Sequence, residues 1–189
     1  MHGELACDLP LVASQTEASQ AARAIEQEVM ALFEQNRAPL LRYSISLGVA
    51  LSDAEEIVQE VFLSLFRHLQ LGRSRHNLRG WIFRVAHNLT LRKRRADRRH
   101  LEATEIDSAI AESQPDPAPN PEESCSSAQR RQRLLAVVAA LPHLDRSCLH
   151  LRAEGLRYRE IAAALGISLG AVSISLARSV GKLIRADRG

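Results

Sequence analysis

Arginine dominates the chemistry available to this chain. Of its 25 basic residues, only Lys93 and Lys182 are lysines. A guanidinium is a planar fork of donors that fits phosphates and guanine edges, where an ammonium is a point charge. Ten basic residues crowd the stretch from Arg73 to Arg99, against the single acid Asp97. Phe83, His87 and Asn88 lie among them. Stacking and hydrogen-bonding groups set among guanidiniums suit single-stranded or opened nucleic acid. A second cluster has the opposite sign. Glu56, Gln59 and Glu60 surround Leu63, an apolar anchor ringed by carboxylates that suits a basic protein surface. Catalytic signatures are missing: the sequence has no H-E-x-x-H, no P-loop and no nucleophile elbow, so neither an enzyme nor a cofactor is expected. The cysteines are Cys7, Cys125 and Cys148. Their odd number and the lack of a C-x-x-C pair argue against a disulfide framework and a zinc site, and fit a reducing cytoplasm. Cys148 and His150 stand two positions apart, which does not place them on one helix face.

The elements that must hold these groups read as helices throughout. The chain has 189 residues and a net charge of +3. Leu101 to Cys125 holds seven acids, no Lys or Arg, and four of the seven prolines. Outside it, 25 basic residues face 15 acids. The expected architecture is all-α, with two small helical domains joined by a flexible, acidic, Pro-rich linker. Residues 1–22 are expected as a disordered tail, 23–100 as the first domain, 101–127 as the linker and 128–189 as the second domain. No apolar run approaches the roughly 18 residues of a membrane helix. The N-terminus lacks the basic start and apolar core of a secretory signal.

Within the first domain, a helical pattern starts near Ala21 and runs to about Leu47, with a break expected before Pro39. The next helix is expected to start at Ser52, with Glu55 completing a capping box. Ala54, Ile57, Val58, Val61, Phe62, Leu65, Phe66 and Leu69 form its apolar stripe, which leaves Leu63 on the far side. A third helix is expected over 78–99, buried through Leu78, Trp81, Ile82, Val85, Ala86 and Leu89, with Phe83, His87, Leu91 and Arg94 facing outward. Trp81 reads as core.

In the second domain, Tyr158 to Leu165, a turn at Gly166–Ile167 and a helix capped by Ser168 read as a helix-turn-helix. Gly166 permits the positive φ of the turn. Leu169, Val172, Leu176, Val180 and Leu183 are expected inside. Gly170, Ala171, Ile174, Arg178, Lys182 and Arg185 are expected outside, with Ser173 and Ser175 at the margins. Arg178 is the candidate for a bidentate guanine contact.

Three segments, in order, carry a resemblance. Asp53-Ala54-Glu55-Glu56-Ile57-Val58-Gln59-Glu60-Val61-Phe62-Leu63 resembles the second region of bacterial RNA polymerase sigma factors. Gly80-Trp81-Ile82-Phe83-Arg84-Val85-Ala86-His87-Asn88 resembles their promoter-melting region. Leu141-Pro142, Gly155 to Ala162 and Gly166 to Val172 resemble their fourth region. Two such domains on a short linker are similar to the extracytoplasmic-function (ECF) branch.

The resemblance implies roles. Asp53, Glu56, Gln59, Glu60 and Leu63 would grip core RNA polymerase. Arg73, Arg75, Asn77, Arg84, His87, Asn88, Arg92 and Arg95 would capture the opened −10 element of promoter DNA, with a base flipped out of the stack. Ser168, Gly170, Ala171, Ser173, Ile174, Ser175, Arg178 and Lys182 would read the −35 element. The recognition stretch Ser173-Ile174-Ser175-Leu176-Ala177 carries no charge, so −35 binding without polymerase would be weak and only shallowly salt-dependent. An anti-sigma factor is implied as a further partner, with a cytoplasmic location, no membrane insertion, no metal and no cofactor. The C-terminal half alone also permits a dimeric helix-turn-helix regulator of duplex DNA. The helices and Arg-rich end of the N-terminal half, in place of a receiver or ligand domain, argue against it.

Overall fold

The computed structural model describes residues 9–104 and 121–188. Among them the chain is all helix: α1 (Leu9–Ser46), α2 (Leu51–Gln70), α3 (Leu78–Thr104), α4 (Pro121–Ala139), α5 (His143–Ala153), α6 (Tyr158–Leu165) and α7 (Leu169–Arg188). Most of the linker lies outside the described residues.

Helix α1 begins well before the position its apolar period marks, and it continues through Pro39. The expected break is absent. Proline removes one backbone donor, but Leu40 and Tyr43 just beyond it are fully buried and anchor the next turn. Asn36, also buried, donates from Nδ2 to the Leu32 carbonyl at 2.8 Å.

Helix α2 starts one residue before Ser52, with Ala50 at its cap and no side-chain capping bond. Ser52 therefore sits inside the first turn, where its hydroxyl cannot reach the orphan N–H groups, and the expected capping box does not form. The stripe is otherwise as read: Ala54, Ile57, Val58, Val61, Phe62, Leu65 and Leu69 are buried. Phe62 meets Phe33 of α1 edge to face, with centroids 5.0 Å apart. Helix α3 is started by Asn77, whose Oδ1 accepts the Gly80 N–H at 3.2 Å while its own φ is +54°. A side chain at Gly80 would collide with that amide, since a Cβ there would lie 2.6 Å from it.

In the C-terminal half, the Glu160 carboxylate accepts the Arg157 N–H and caps α6. Gly166 takes the left-handed conformation at φ +67°, and Ser168 Oγ accepts the Ala171 N–H at 3.1 Å to cap α7. The chain bends by 105° between α6 and α7, the angle of a helix-turn-helix. An ion pair of Arg130 with Asp187 ties α4 to α7.

The two halves are docked on one another. Helix α6 packs along α3, and α1 touches α5. One apolar cluster runs from Leu40 and Phe83 in the first half to Cys148, Leu156 and Ile161 in the second. Arg42 pairs with the Glu154 carboxylate, Nε to Oε1 at 3.0 Å. Arg79 donates to the Glu154 and Gly155 carbonyls at 2.9 and 3.3 Å.

Candidate nucleic-acid interface and acidic face

The acidic face of α2 is open. Glu56, Gln59 and Glu60 are exposed, and Leu63 keeps 58% of its surface in solvent. Asp53 differs from this set. It is half-buried and turned toward α3, where Lys93 Nζ lies 2.9 Å from its Oδ1. Glu60 also leans toward α3, 3.8 Å from Arg92. Beside Leu63 runs an apolar groove of about 630 Å³ between α1 and α2, lined by Val29, Met30, Phe33, Gln59, Phe62 and Phe66. The sequence reading missed the α1 wall. Its signal was Met30, an exposed apolar residue one position beyond the α1 stripe.

The Arg-rich helix is split into two faces. Arg84, Asn88, Arg92 and Arg95 are exposed on α3, three to four residues apart and so on one side of it. Phe83 and His87 are not part of that face. Phe83 is fully buried and meets the Tyr43 ring at 6.0 Å. His87 Nδ1 lies 2.7 Å from the Tyr43 hydroxyl, and the His87 ring lies 6.3 Å from that of His143 on α5. This corrects the outward placement of both residues: α1 and the docked second domain cover the side of α3 that its own stripe leaves free. Burial pushes the His87 imidazole down to about 4, with His143 adding to the shift. Burial likewise lowers His143, helped by Arg94 and Arg146, and raises the Tyr43 phenol.

The loop before α3 is also engaged. Arg73 is exposed. Arg75 Nε lies 3.0 Å from Glu28 of α1, and Asn77 is occupied by its capping bond. Trp81 is half-buried and lies beside His68, with centroids 4.7 Å apart and the rings tilted by 43°; it packs against the core, as read.

Helix α7 is rotated from its expected register. Val172, Ser175, Leu176 and Ser179 are buried, while Leu169 and Val180 are exposed. The cause is Asp145 of α5, which is 1% exposed. Ser175 donates to its Oδ1 at 2.8 Å, and Arg178 contacts both carboxylate oxygens, at 2.8 and 2.9 Å. A buried carboxylate must be paired, and these α7 groups turn inward to pair it. Ser175 is therefore interior, not marginal, and the Arg178 guanidinium is committed to Asp145 rather than free for a base. Gly170, Ser173 and Ile174 remain exposed, Ala171 and Lys182 are half-buried, and Ser168 caps the helix. Cys148 is fully buried, and burial raises its thiol, which makes it a poor nucleophile. No helix among the described residues is by itself long and apolar enough to cross a membrane.

The fold and faces together define a helical binding protein that carries an Arg-rich helix and a helix-turn-helix. Comparison with known proteins sharpens this. The Sigma-70 region 2 family matches residues 32–100, and the Sigma-70 region 4 family matches residues 131–183. The ECF RNA polymerase sigma factor SigE of Mycolicibacterium smegmatis is 34% identical over 145 residues, covering 75% of this chain and 54% of that protein. The ECF RNA polymerase sigma-E factor of Escherichia coli K12 is 28% identical over 141 residues, covering 71% and 74%. Among solved structures, RpoE of Bartonella quintana in complex with the anti-sigma factor NepR matches with a TM-score of 0.63 at 21% identity, over 87% of this chain and 96% of that one. CnrH in complex with the cytosolic domain of CnrY matches with a TM-score of 0.55 at 22% identity, over 89% and 92%. The two sigma-70 family matches together span more than half of the chain, which belongs to the sigma-70 family; it spans only about half the length of the first of these curated relatives.

Proposed function

We propose that this chain is a promoter-specificity subunit that binds core RNA polymerase and directs transcription initiation. It does so by binding and not by catalysis, in the cytoplasm. The observation that carries the reading is the exposed Leu63 among Glu56, Gln59 and Glu60, next to the α1–α2 groove. An apolar anchor with a carboxylate rim fits a basic helical surface such as a polymerase clamp. Arg84, Asn88, Arg92 and Arg95 on α3 would hold the opened −10 strand, Arg73 and the loop beside it would receive a flipped base, and the exposed start of α7, Gly170 to Ile174, would meet the −35 element. In the docked form α1 and the second domain cover the Phe83 and His87 side of α3, while Arg84, Asn88, Arg92 and Arg95 stay open on the other. An anti-sigma factor would be a further partner, as RpoE of Bartonella quintana, which shares the fold, was solved in complex with the anti-sigma factor NepR. Run-off transcription tests the reading. Core polymerase plus this chain should yield discrete transcripts from genomic fragments, and replacing Arg84 and Arg92 by Ala should abolish them. Transcripts that do not depend on the added chain would overturn it.

A further inference from the structure

The two flanks of α3 carry their charge differently. Toward α2, Lys93 and Arg92 face Asp53 and Glu60. Toward α5, Arg94, Arg95 and Arg98 line a cavity of about 300 Å³, closed by Leu91 and by His143, the first residue of α5. Among the described residues, no carboxylate lies within ion-pair distance of these three arginines or of Arg146. Arg146 is not part of the cavity lining, but its charge helps lower Arg94 and His143. Its Nε is buried and has no hydrogen-bond partner, while one of its Nη atoms donates to the Ala139 carbonyl at 3.3 Å. Burial, Arg98 and Arg146 also disfavour the charge on Arg94. Arg95, Arg98 and His143 are exposed and Arg94 is half-buried; cations gathered without a counter-charge repel one another, and an anion relieves that cost.

We propose that this cavity is a binding site for a multiply charged phosphate anion that bridges α3 and α5 and holds the two domains docked. A small anion fits better than a nucleic-acid backbone, because the cavity has walls from both domains and exists only while they are together. Pyrophosphate chemistry, free or as the tail of a nucleotide, matches several guanidinium forks converging on one pocket. Bound there, it would occupy Arg95, one of the guanidiniums proposed to hold the −10 strand, and so oppose engagement of DNA. That consequence rests on the sigma-factor reading; the binding itself does not.

The test is titration calorimetry on the full chain with pyrophosphate, inorganic phosphate, ATP and chloride at matched ionic strength. Saturable one-site binding is expected for pyrophosphate and ATP, weaker for phosphate and absent for chloride. Arg98→Gln on α3 should weaken pyrophosphate binding about tenfold, as loss of a charge-assisted contact does, and His143→Ala on α5 should weaken it as well. Hydrogen exchange in α3 and α6 should slow when pyrophosphate is bound. No saturable heat by about 5 mM pyrophosphate, well above the weakest affinity of interest, overturns the site. Binding that His143→Ala leaves unchanged overturns the bridge, because α3 alone would then hold the anion. A far-ultraviolet circular dichroism spectrum of each variant matching the wild type separates loss of the site from loss of the fold. Run-off transcription unaffected by either variant leaves the sigma-factor reading intact while the calorimetry decides this one.

Discussion

Helices α2 and α3 are neighbours with similar amphipathic patterns, yet their outer faces end differently. On α2, Leu63 opposes the stripe and stays in solvent. On α3, Phe83 also opposes the stripe, and it is fully buried. Periodicity within one domain places each residue relative to that domain's core alone. Leu63 has no second neighbour to bury it, whereas Phe83 meets Tyr43 of α1, and its own helix α3 also packs along α6. The open face keeps its carboxylates toward water, while the covered one shifts its histidine downward through burial. A surface awaiting a partner and a surface already holding one are thereby distinguished.

The sharpest way to break this contrast is to truncate both anchors. Phe83→Ala should cost about 3–4 kcal/mol in urea unfolding, as a buried aromatic does. Leu63→Ala should stay within about 0.5 kcal/mol, as exposed sites do. Equal costs would mean that the two faces are alike. Next in size is the α5–α7 seam. Asp145→Ala leaves Ser175 and Arg178 without their acceptor and should destabilise the C-terminal domain by about 2–3 kcal/mol, reduced from the fully buried case because Arg178 is half-exposed. A variant as stable as wild type would mean the seam is incidental.

The smallest effect is that of pH on docking. His87 binds its proton less well in the docked form, at about 4 against an ordinary 6.5. Docking is therefore at full strength above about pH 6.5 and weakens as pH falls toward 4, by at most about tenfold at pH 5.5. Small-angle scattering should show the chain expanding over that range, and His87→Gln should flatten the response. A radius independent of pH in the wild type would show that His87 does not report on docking.

Local signals were legible in the sequence, and signals that depend on a second surface were not. The α6–turn–α7 unit follows from Gly166, Ser168 and the short apolar period, each of which acts within a few residues. The α2 stripe follows from its spacing alone. The start of α2 was misplaced because Ser52 and Glu55 have the right spacing for a cap, but the chain turns helical earlier. Helix α1 was cut at Pro39 because the propensity penalty is visible in sequence and the compensating burial of Leu40 and Tyr43 is not. The face of α7 was turned by Asp145, which is 30 residues from Ser175 and invisible to any wheel drawn on α7. Of the candidate contacts, Glu56, Gln59, Glu60, Leu63, Arg84, Asn88, Arg92 and Arg95 stand on open faces. His87, Ser175 and Arg178 are held by interior partners that the sequence pattern does not reveal.

The proposed grip for core RNA polymerase is the open α2 face. Size-exclusion chromatography of the full chain with sigma-free core polymerase tests it directly, with a Glu60→Arg/Leu63→Arg variant alongside. Co-elution of the wild type is expected, with a loss of affinity of about 100-fold or more in the variant, because an apolar anchor and a rim carboxylate are both reversed at the centre of the contact. A variant that co-elutes as well as the wild type would contradict the grip, and a wild type that fails to co-elute while binding duplex DNA tightly on its own would contradict the account as a whole.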